Sequence, residues 1–133
     1  MRGTLITPSQ PTDARTTAWT PSPLVLEAAS GEDGLIAEIV DVFNTSTADR
    51  IRQIHAALAA SDFSTIRKEA HAIKGGAQQI GAPAVADACQ ELERVCQLGE
   101  ASLVPARLAR VCELFEEIRI GMISYCNRRR VNL

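Results

Sequence analysis

The residues best suited to chemistry lie in one stretch, SDFSTIRKEAHAIKGGAQQIGA, which spans residues 61–82. It contains His71, with Lys74 three positions later and Gly75 directly after the lysine. Neutral imidazole is a good nitrogen nucleophile, because histidine loses its proton close to physiological pH. A lysine one helical turn away can pair with the oxygens of an arriving phosphoryl group as a compact cation. The stretch therefore suits a histidine that accepts a phosphoryl group.

Helical periodicity separates this stretch into two faces. At about 100° per residue, five apolar residues fall within a sector of about 80° and predict a core stripe. They are Ile66, Ala70, Ile73, Ala77 and Ile80. The opposite face carries polar or very small residues: Ser64, Arg67, His71, Lys74, Gly75 and Gln78. The histidine is therefore predicted to stand exposed beside basic residues and a glycine.

Two adjacent glycines follow the lysine and would weaken a helix. A glycine in a helix interior costs roughly 1 kcal/mol relative to alanine, and Gly75-Gly76 doubles that penalty. The pair is understandable if the surface of a partner must approach the helix backbone closely here. Taken singly, each feature has a plainer explanation, since a lone histidine is usually a surface residue and a Gly-Gly pair is usually a hinge or kink. The GxxxxGK[ST] order of a nucleotide-binding P-loop is absent from the sequence.

The composition favours a small all-helical domain. At 133 residues the chain has room for one hydrophobic core. The hydrophobic fraction is 46%, but aromatic residues supply only 4%. Small aliphatic side chains must therefore build the core, which suits closely packed helices better than a sandwich or barrel. A net charge of −2 argues against a general nucleic-acid binder, which would need a basic excess.

The N-terminus and the cysteines indicate the cellular compartment. The sequence shows no signal peptide, and no stretch approaches the roughly 20 apolar residues of a membrane span. We therefore expect a soluble, cytoplasmic protein with no membrane partner. The four cysteines lack the CxxC spacing of a zinc site and are interpreted as reduced, small apolar residues. They are Cys89, Cys96, Cys112 and Cys126.

Helix-breaking residues divide the chain into segments. Residues 1–22 are rich in Thr, Pro and Ser without an apolar period, which predicts a disordered leader. Helices are predicted over 24–29, over 35–58, from the break at Ser61-Asp62 to about 80, over 83–98, and from about 102 to 126. The polar cluster Asn44-Thr45-Ser46-Thr47 leaves open whether the second segment is one helix or two. Residues 127–133 are predicted to be a frayed basic tail.

These segments predict an all-α fold. Four amphipathic helices joined by short connections form an antiparallel four-helix bundle, and the short first helix precedes it. The bundle is expected to occupy residues 24–126.

Short motifs follow one another along the third and fourth predicted helices. The run His71-Ala72-Ile73-Lys74-Gly75-Gly76 is followed by Ile80-Gly81-Ala82, and then by Cys89 and Leu92-Glu93. With Phe43, Leu58 and the break at 60–62, they resemble the histidine-containing phosphotransfer (HPt) family of multistep phosphorelays. The family pattern is HxxKGxx…xGA with C…LE on the next helix. The resemblance spans roughly residues 35–98 and, more loosely, the last helix.

The resemblance implies roles for individual residues. His71 would accept a phosphoryl group from a receiver-domain aspartate and pass it to another receiver. Lys74 would stabilise the phosphoryl group, and Gly75 would make room for the receiver. Glu93 would hydrogen-bond the imidazole ring and orient it. Glu93 lies at the edge of its helix's apolar stripe, from which it could reach His71; an exposed solubilising glutamate is the alternative.

The resemblance also implies partners. They would be response-regulator receiver domains and a hybrid sensor histidine kinase. The receiver would carry the catalytic Mg²⁺, so no cofactor or metal is expected on this chain, which we expect to be a monomer. Partner choice would depend on exposed residues around the histidine: Ser64, Arg67, Lys68 and Gln78. The family often has Ser after the motif glycine, whereas this chain has Gly76 and Ala77.

Two other functions stay open at this point. One is an adaptor bundle that has lost phosphotransfer, which the joint presence of His71, Lys74 and Gly75 disfavours. The other is the phosphoacceptor domain of a larger kinase. No ATP-binding motif is present, so phosphorylation from ATP is not expected.

The second histidine, His55, lies near an apolar stripe and is predicted to be packed or half-buried. No ligand spacing supports a metal site joining it to His71.

Overall fold

The computed structural model describes residues 18–131, and all regular structure in this range is helical. The helices are α1 (Pro23–Ala28), α2 (Asp33–Ala59), α3 (Phe63–Ile80), α4 (Pro83–Gln97) and α5 (Val104–Val131), with a 3-10 turn at Ala101–Leu103. Each long helix contacts the next, and α2 also contacts α5, which closes the bundle. The predicted four-helix bundle with a short first helix is confirmed. None of these helices is both long and apolar enough to cross a membrane.

The core stripe of α3 is confirmed residue by residue. The buried residues of this helix are Ile66, Ala70, Ile73, Ala77 and Ile80. Because these side chains share one face, their burial fixes the rotation of α3 about its own axis and turns the opposite face to solvent. Small aliphatic residues dominate the remaining core, as the low aromatic content predicts.

The second segment is one continuous helix of 27 residues. Thr47, one turn after Phe43, is 3% exposed and continues the buried stripe toward Ile54. The polar cluster does not break the helix, because Thr45 and Ser46 face solvent while Thr47 packs inward. Leu35 also belongs to the apolar periodicity that begins the segment 35–58, but its side chain is 38% exposed.

Capping residues fix both ends of α3. At its start, the Asp62 carboxylate accepts hydrogen bonds from the Thr65 hydroxyl (2.6 Å) and the Thr65 backbone N–H (3.1 Å). These hydrogen bonds lower the pKa of the Asp62 carboxyl. At its end, Gly81 adopts φ 91°, the left-handed conformation that ends many helices. Pro83 then begins α4, where its missing N–H is tolerated.

Two predicted boundaries need correction. The sequence pattern assigns residues 18–22 to the leader, but Trp19 is 4% exposed and belongs to the core, because its large ring finds a site between helix ends. The last helix continues to Val131 rather than ending near residue 126. Its extra turn is supported by Arg129, which lies over the Tyr125 ring (5.4 Å) and pairs with Asp33 (3.5 Å). Residues 1–17 and 132–133 lie outside the described residues.

Gly81 and Gly75 offer a matched pair of substitutions. Gly81→Ala is expected to lower the free energy of unfolding by about 1–2 kcal/mol, because an L-residue is strained in the left-handed region. The new Cβ would also lie 3.3 Å from Ser22 Cβ. Gly75→Ala is expected to raise stability by about 1 kcal/mol, since Gly75 is helical and nothing lies within 4 Å of the added Cβ. Urea unfolding followed by circular dichroism would measure both, and equal effects of the same sign would contradict this assignment.

Candidate functional site

His71 stands on the outward face of α3 and contacts a side chain from α4. Its side chain is 70% exposed. Its Nδ1 lies 3.1 Å from Glu93 Oε1, so the two residues are joined by a hydrogen bond between neighbouring helices. One edge of the ring is therefore fixed by the protein, while the rest faces solvent.

The Glu93 carboxylate also reaches a second side chain. Its Oε2 lies 2.9 Å from Lys74 Nζ, and both side chains are largely buried, with 16% and 19% of their surface exposed. The contact is an ion pair rather than an aligned hydrogen bond, since Oε2 accepts none from the described residues. One carboxylate thus bridges the histidine and the lysine of the same helical turn. We name His71, Lys74 and Glu93 the site triad.

The geometry of the triad assigns the hydrogen on a neutral His71 ring. An ionised carboxylate can only accept hydrogen bonds, so the Nδ1 atom that faces Glu93 must be the donor. The Nε2 atom then carries the lone pair. A nucleophilic nitrogen held in one orientation at an exposed position can attack an electrophile delivered by a partner.

The other residues that the sequence predicts to contact partners surround His71 on the same face. Gly75 is half-buried, and the space above its Cα is open. Four further side chains on this face are exposed: Ser64, Arg67, Lys68 and Gln78. The structure therefore brings all five of these residues to the face of α3 that carries His71.

An apolar groove beside this face is a feature that the sequence analysis missed. It runs between α1, α2 and α3 and encloses about 360 Å³. Leu24 and Val42 line it while 52% and 67% exposed, and a Cβ added at Gly76 would lie 3.7 Å from the Phe43 ring. On α3 it is bordered by Ala72 and Gly76, next to His71. The signal available in the sequence was apolar residues such as Val42, which lies outside the buried stripe of α2.

His55 does not lie where the sequence pattern places it. It was predicted to be packed or half-buried, but it is exposed. The buried stripe of α2 passes through Ile54 and Ala57, so that His55 falls on the outer side of this turn. Its Nε2 lies 4.0 Å from Cys112 Sγ on α5.

No disulfide joins the cysteines of the described chain, and Cys89 lies close to the triad. Cys89 is fully buried one turn before Glu93 on α4. Burial raises the pKa of its thiol to about 12, with a further increase from the negative charge of Glu93 and a partial offset from Lys74. Burial also raises the pKa of Cys96 and of Cys112.

Comparison with known proteins identifies the family. The model of the Hpt domain matches residues 38–121, which is more than half of the chain. The chain therefore belongs to the Hpt domain family and has a phosphotransfer role in phosphorelay signalling. The structure is similar to the crystal structure of histidine-containing phosphotransfer protein B (HptB) from Pseudomonas aeruginosa PAO1, at 28% identity and a TM-score of 0.73. That match covers 81% of this chain and 95% of HptB. Among curated proteins, none matches the sequence significantly.

The buried Cys89 thiol predicts a loss of stability at high pH. Its pKa is about 12 in the folded protein, whereas the pKa of a cysteine in an unfolded chain is about 8.5. The unfolded chain therefore loses this proton first, and the stability linked to the thiol, present below pH ~8.5, disappears as pH rises toward 12. In Cys89→Ala the fall in urea midpoint between pH 8 and 10 should be shallower than in the wild type. Cys112→Ala should show a smaller effect, because this thiol is only half-buried and burial raises its pKa less. Identical slopes in wild type and Cys89→Ala would refute the assignment.

Proposed function

We propose that this protein relays a phosphoryl group between receiver-domain aspartates, with His71 as the phosphoacceptor. The observation that carries the proposal is the triad, in which one carboxylate orients an exposed imidazole and holds a lysine beside it. Membership of the Hpt domain family supports the same chemistry. The similar HptB is itself described as a histidine-containing phosphotransfer protein.

The proposed step is an in-line displacement at phosphorus. The Nε2 lone pair of His71 attacks the phosphorus of a partner's aspartyl phosphate. The N–P bond forms as the P–O bond to the aspartate breaks, and that aspartate leaves as a carboxylate. The ring becomes positively charged as Nε2 is phosphorylated, while Nδ1–H continues to donate to Glu93. The Glu93 carboxylate stabilises that charge, and the reverse reaction delivers the phosphoryl group to a second receiver.

Lys74 supplies positive charge close to the reacting nitrogen. In the resting protein its ammonium is paired with Glu93 at 2.9 Å. When a phosphoryl group arrives at His71, the flexible lysine stem allows Nζ to approach the phosphoryl oxygens. The Mg²⁺ that stabilises the transferring group is proposed to belong to the receiver, and this chain contributes the nucleophile and the cation.

The receiver is proposed to bind across His71 and into the neighbouring groove. The groove is continuous with the histidine face, since it is lined by Ala72, which directly follows His71, and by Gly76, one turn after Ala72. Its walls are mainly aliphatic, so the occupant that fits is an apolar helix face of the receiver. The open space at Gly75 allows the partner's backbone to approach α3. The exposed polar residues around His71 would then form the rim of the interface.

The proposed partners are receiver domains, including one attached to a hybrid sensor histidine kinase. Such a kinase would supply the phosphoryl group through its own receiver. This chain is proposed to act as a monomer and to take no phosphate directly from ATP.

Transfer from a phosphorylated receiver tests the role of His71. Wild-type protein mixed with a ³²P-labelled receiver is expected to gain label that is acid-labile and base-stable, which is the behaviour of a phosphoramidate. His71→Gln should gain none, and His55→Gln should match the wild type, because His55 lies on another helix. Label that persists in His71→Gln would overturn the site. Failure of the wild-type protein to accept label from any receiver, despite binding to it, would favour the adaptor function.

A charge in the groove tests the docking surface. Val42 is 67% exposed, so Val42→Lys should leave folding unchanged but place an ammonium in an apolar interface. The KM for the phosphorylated receiver is expected to rise about tenfold, equivalent to about 1.4 kcal/mol of binding. Leu98→Lys is the matched control, since Leu98 is 60% exposed at the far end of α4 and does not line the groove. Equal KM values for the two variants would exclude the groove from the interface.

A further inference from the structure

The N-terminal segment of the described chain lies outside the region that matches the family model, which begins at residue 38. Within this segment, Trp19 is 4% exposed, and its Nε1 donates a 3.0 Å hydrogen bond to the Ile80 carbonyl at the end of α3. Its ring meets Tyr125 of α5 edge-to-face, with centroids 5.3 Å apart. The indole is thus fixed to two helices of the bundle.

A second anchor lies three residues later. The Ser22 hydroxyl donates a 2.6 Å hydrogen bond to the Gln79 carbonyl and accepts a bond of 3.2 Å from Val25 N–H. One side chain therefore satisfies a carbonyl at the end of α3 and caps the start of α1. The glycine at position 81 leaves room for this arrangement, since a Cβ there would lie 3.3 Å from Ser22 Cβ.

The Trp19 and Ser22 contacts hold α1 in position against the bundle. A helix of six residues is not stable by itself in water, so α1 depends on its attachment to the bundle. Val25 of this helix and Ala29, which directly follows it, are buried in the core. On its outer side, Leu24, together with Ala28, forms the wall of the groove that faces Ala72 and Gly76 of α3. We name residues 19–29 the N-terminal clamp.

The C-terminal part of α5 packs against the clamp. Tyr125, which contacts Trp19, also lies beneath the Arg129 guanidinium, at 5.4 Å from ring centroid to Cζ. Arg129 in turn pairs with Asp33 at the start of α2. Both Tyr125 and Arg129 follow residue 121, where the matched region ends. The described segments that flank the family match on its N-terminal and C-terminal sides therefore pack against each other.

From these contacts we infer that the N-terminal clamp is a docking element for the receiver, and that Trp19 is its positioning residue. Trp19 does not border the groove; it acts through α1, whose Leu24 does. A displaced clamp would remove one wall of the groove and leave the site triad intact, because none of the clamp's hydrogen bonds involves His71, Lys74 or Glu93. The inference rests on the proposed function, since the groove must receive the receiver.

Phosphotransfer kinetics with a fixed phosphorylated receiver test this inference. Trp19→Ala is expected to raise KM about tenfold and to change kcat by less than about twofold, because docking weakens while the chemistry is preserved. Trp19→Phe keeps an aromatic ring against Tyr125 and should recover most of the affinity. Ser22→Ala, a milder change that keeps the tryptophan, should raise KM in the same direction.

A double-mutant cycle separates positioning from folding. Leu24→Ser removes the wall side chain from an exposed position, and Leu26→Ser, on the same helix but outside the groove, is its matched control. If Trp19 acts through α1, the effects of Trp19→Ala and Leu24→Ser on log KM should be clearly less than additive. Leu108→Ala removes a buried side chain from α5 about 25 Å along the helix from Tyr125 and should leave KM unchanged.

Trp19 also provides a direct signal, because it is the chain's single tryptophan. In wild type and in Leu24→Ser, the tryptophan emission should be blue-shifted and only weakly quenched by acrylamide. In Ser22→Ala the quenching should increase in proportion to the rise in KM. If Trp19→Ala and Ser22→Ala both show normal transfer with an unchanged KM, the role of the clamp in docking is overturned and the proposed function is not. Additive effects in the cycle would overturn the role of α1 as intermediary. Absence of any transfer to wild type would overturn the proposed function and the clamp with it.

Discussion

The bridge formed by the Glu93 carboxylate is the interaction on which the site depends. One oxygen contacts His71 Nδ1 at 3.1 Å and the other contacts Lys74 Nζ at 2.9 Å. A carboxylate that is 16% exposed would be costly if it were unpaired, and the bundle tolerates it because the carboxylate is hydrogen-bonded to His71 and ion-paired with Lys74. The same pairing orients the imidazole and keeps the lysine within reach of its reaction partner. These contacts join α3 to α4, so the packing of those two helices determines whether the site exists.

The surface beside the bridge combines features that are unfavourable for stability and useful for binding. Gly75 and Gly76 weaken α3, and Leu24 and Val42 expose apolar surface to water. A monomeric protein that maximised its stability would remove such features, whereas a protein that binds a partner's helix needs a shallow apolar surface near its nucleophile. The buried stripe of α3 and the caps at its ends stabilise the helix enough to tolerate them.

Residue periodicity was sufficient to predict the bundle, the core stripe of α3 and the exposed face that carries His71, because these follow from local sequence. The motif spacing and the family resemblance also identified Glu93 as the residue that could reach the ring. The groove, the clamp and the exposure of His55 were not predicted, since each depends on how separate helices are rotated against one another. Trp19 illustrates the limit: it lies in a Pro- and Thr-rich segment without periodicity, and only the positions of Ile80 and Tyr125 in space show why it is buried.

The most direct test of the central claim is ¹⁵N NMR of the His71 imidazole in the resting and phosphorylated protein. The resting neutral ring should be protonated at Nδ1 with an unprotonated Nε2, and phosphorylation should place phosphorus on Nε2 while the Nδ1 proton remains. In Glu93→Ala the resting ring should shift toward the mixture of tautomers found in free histidine. A wild-type ring protonated at Nε2, or a phosphoryl group on Nδ1, would contradict the role assigned to Glu93.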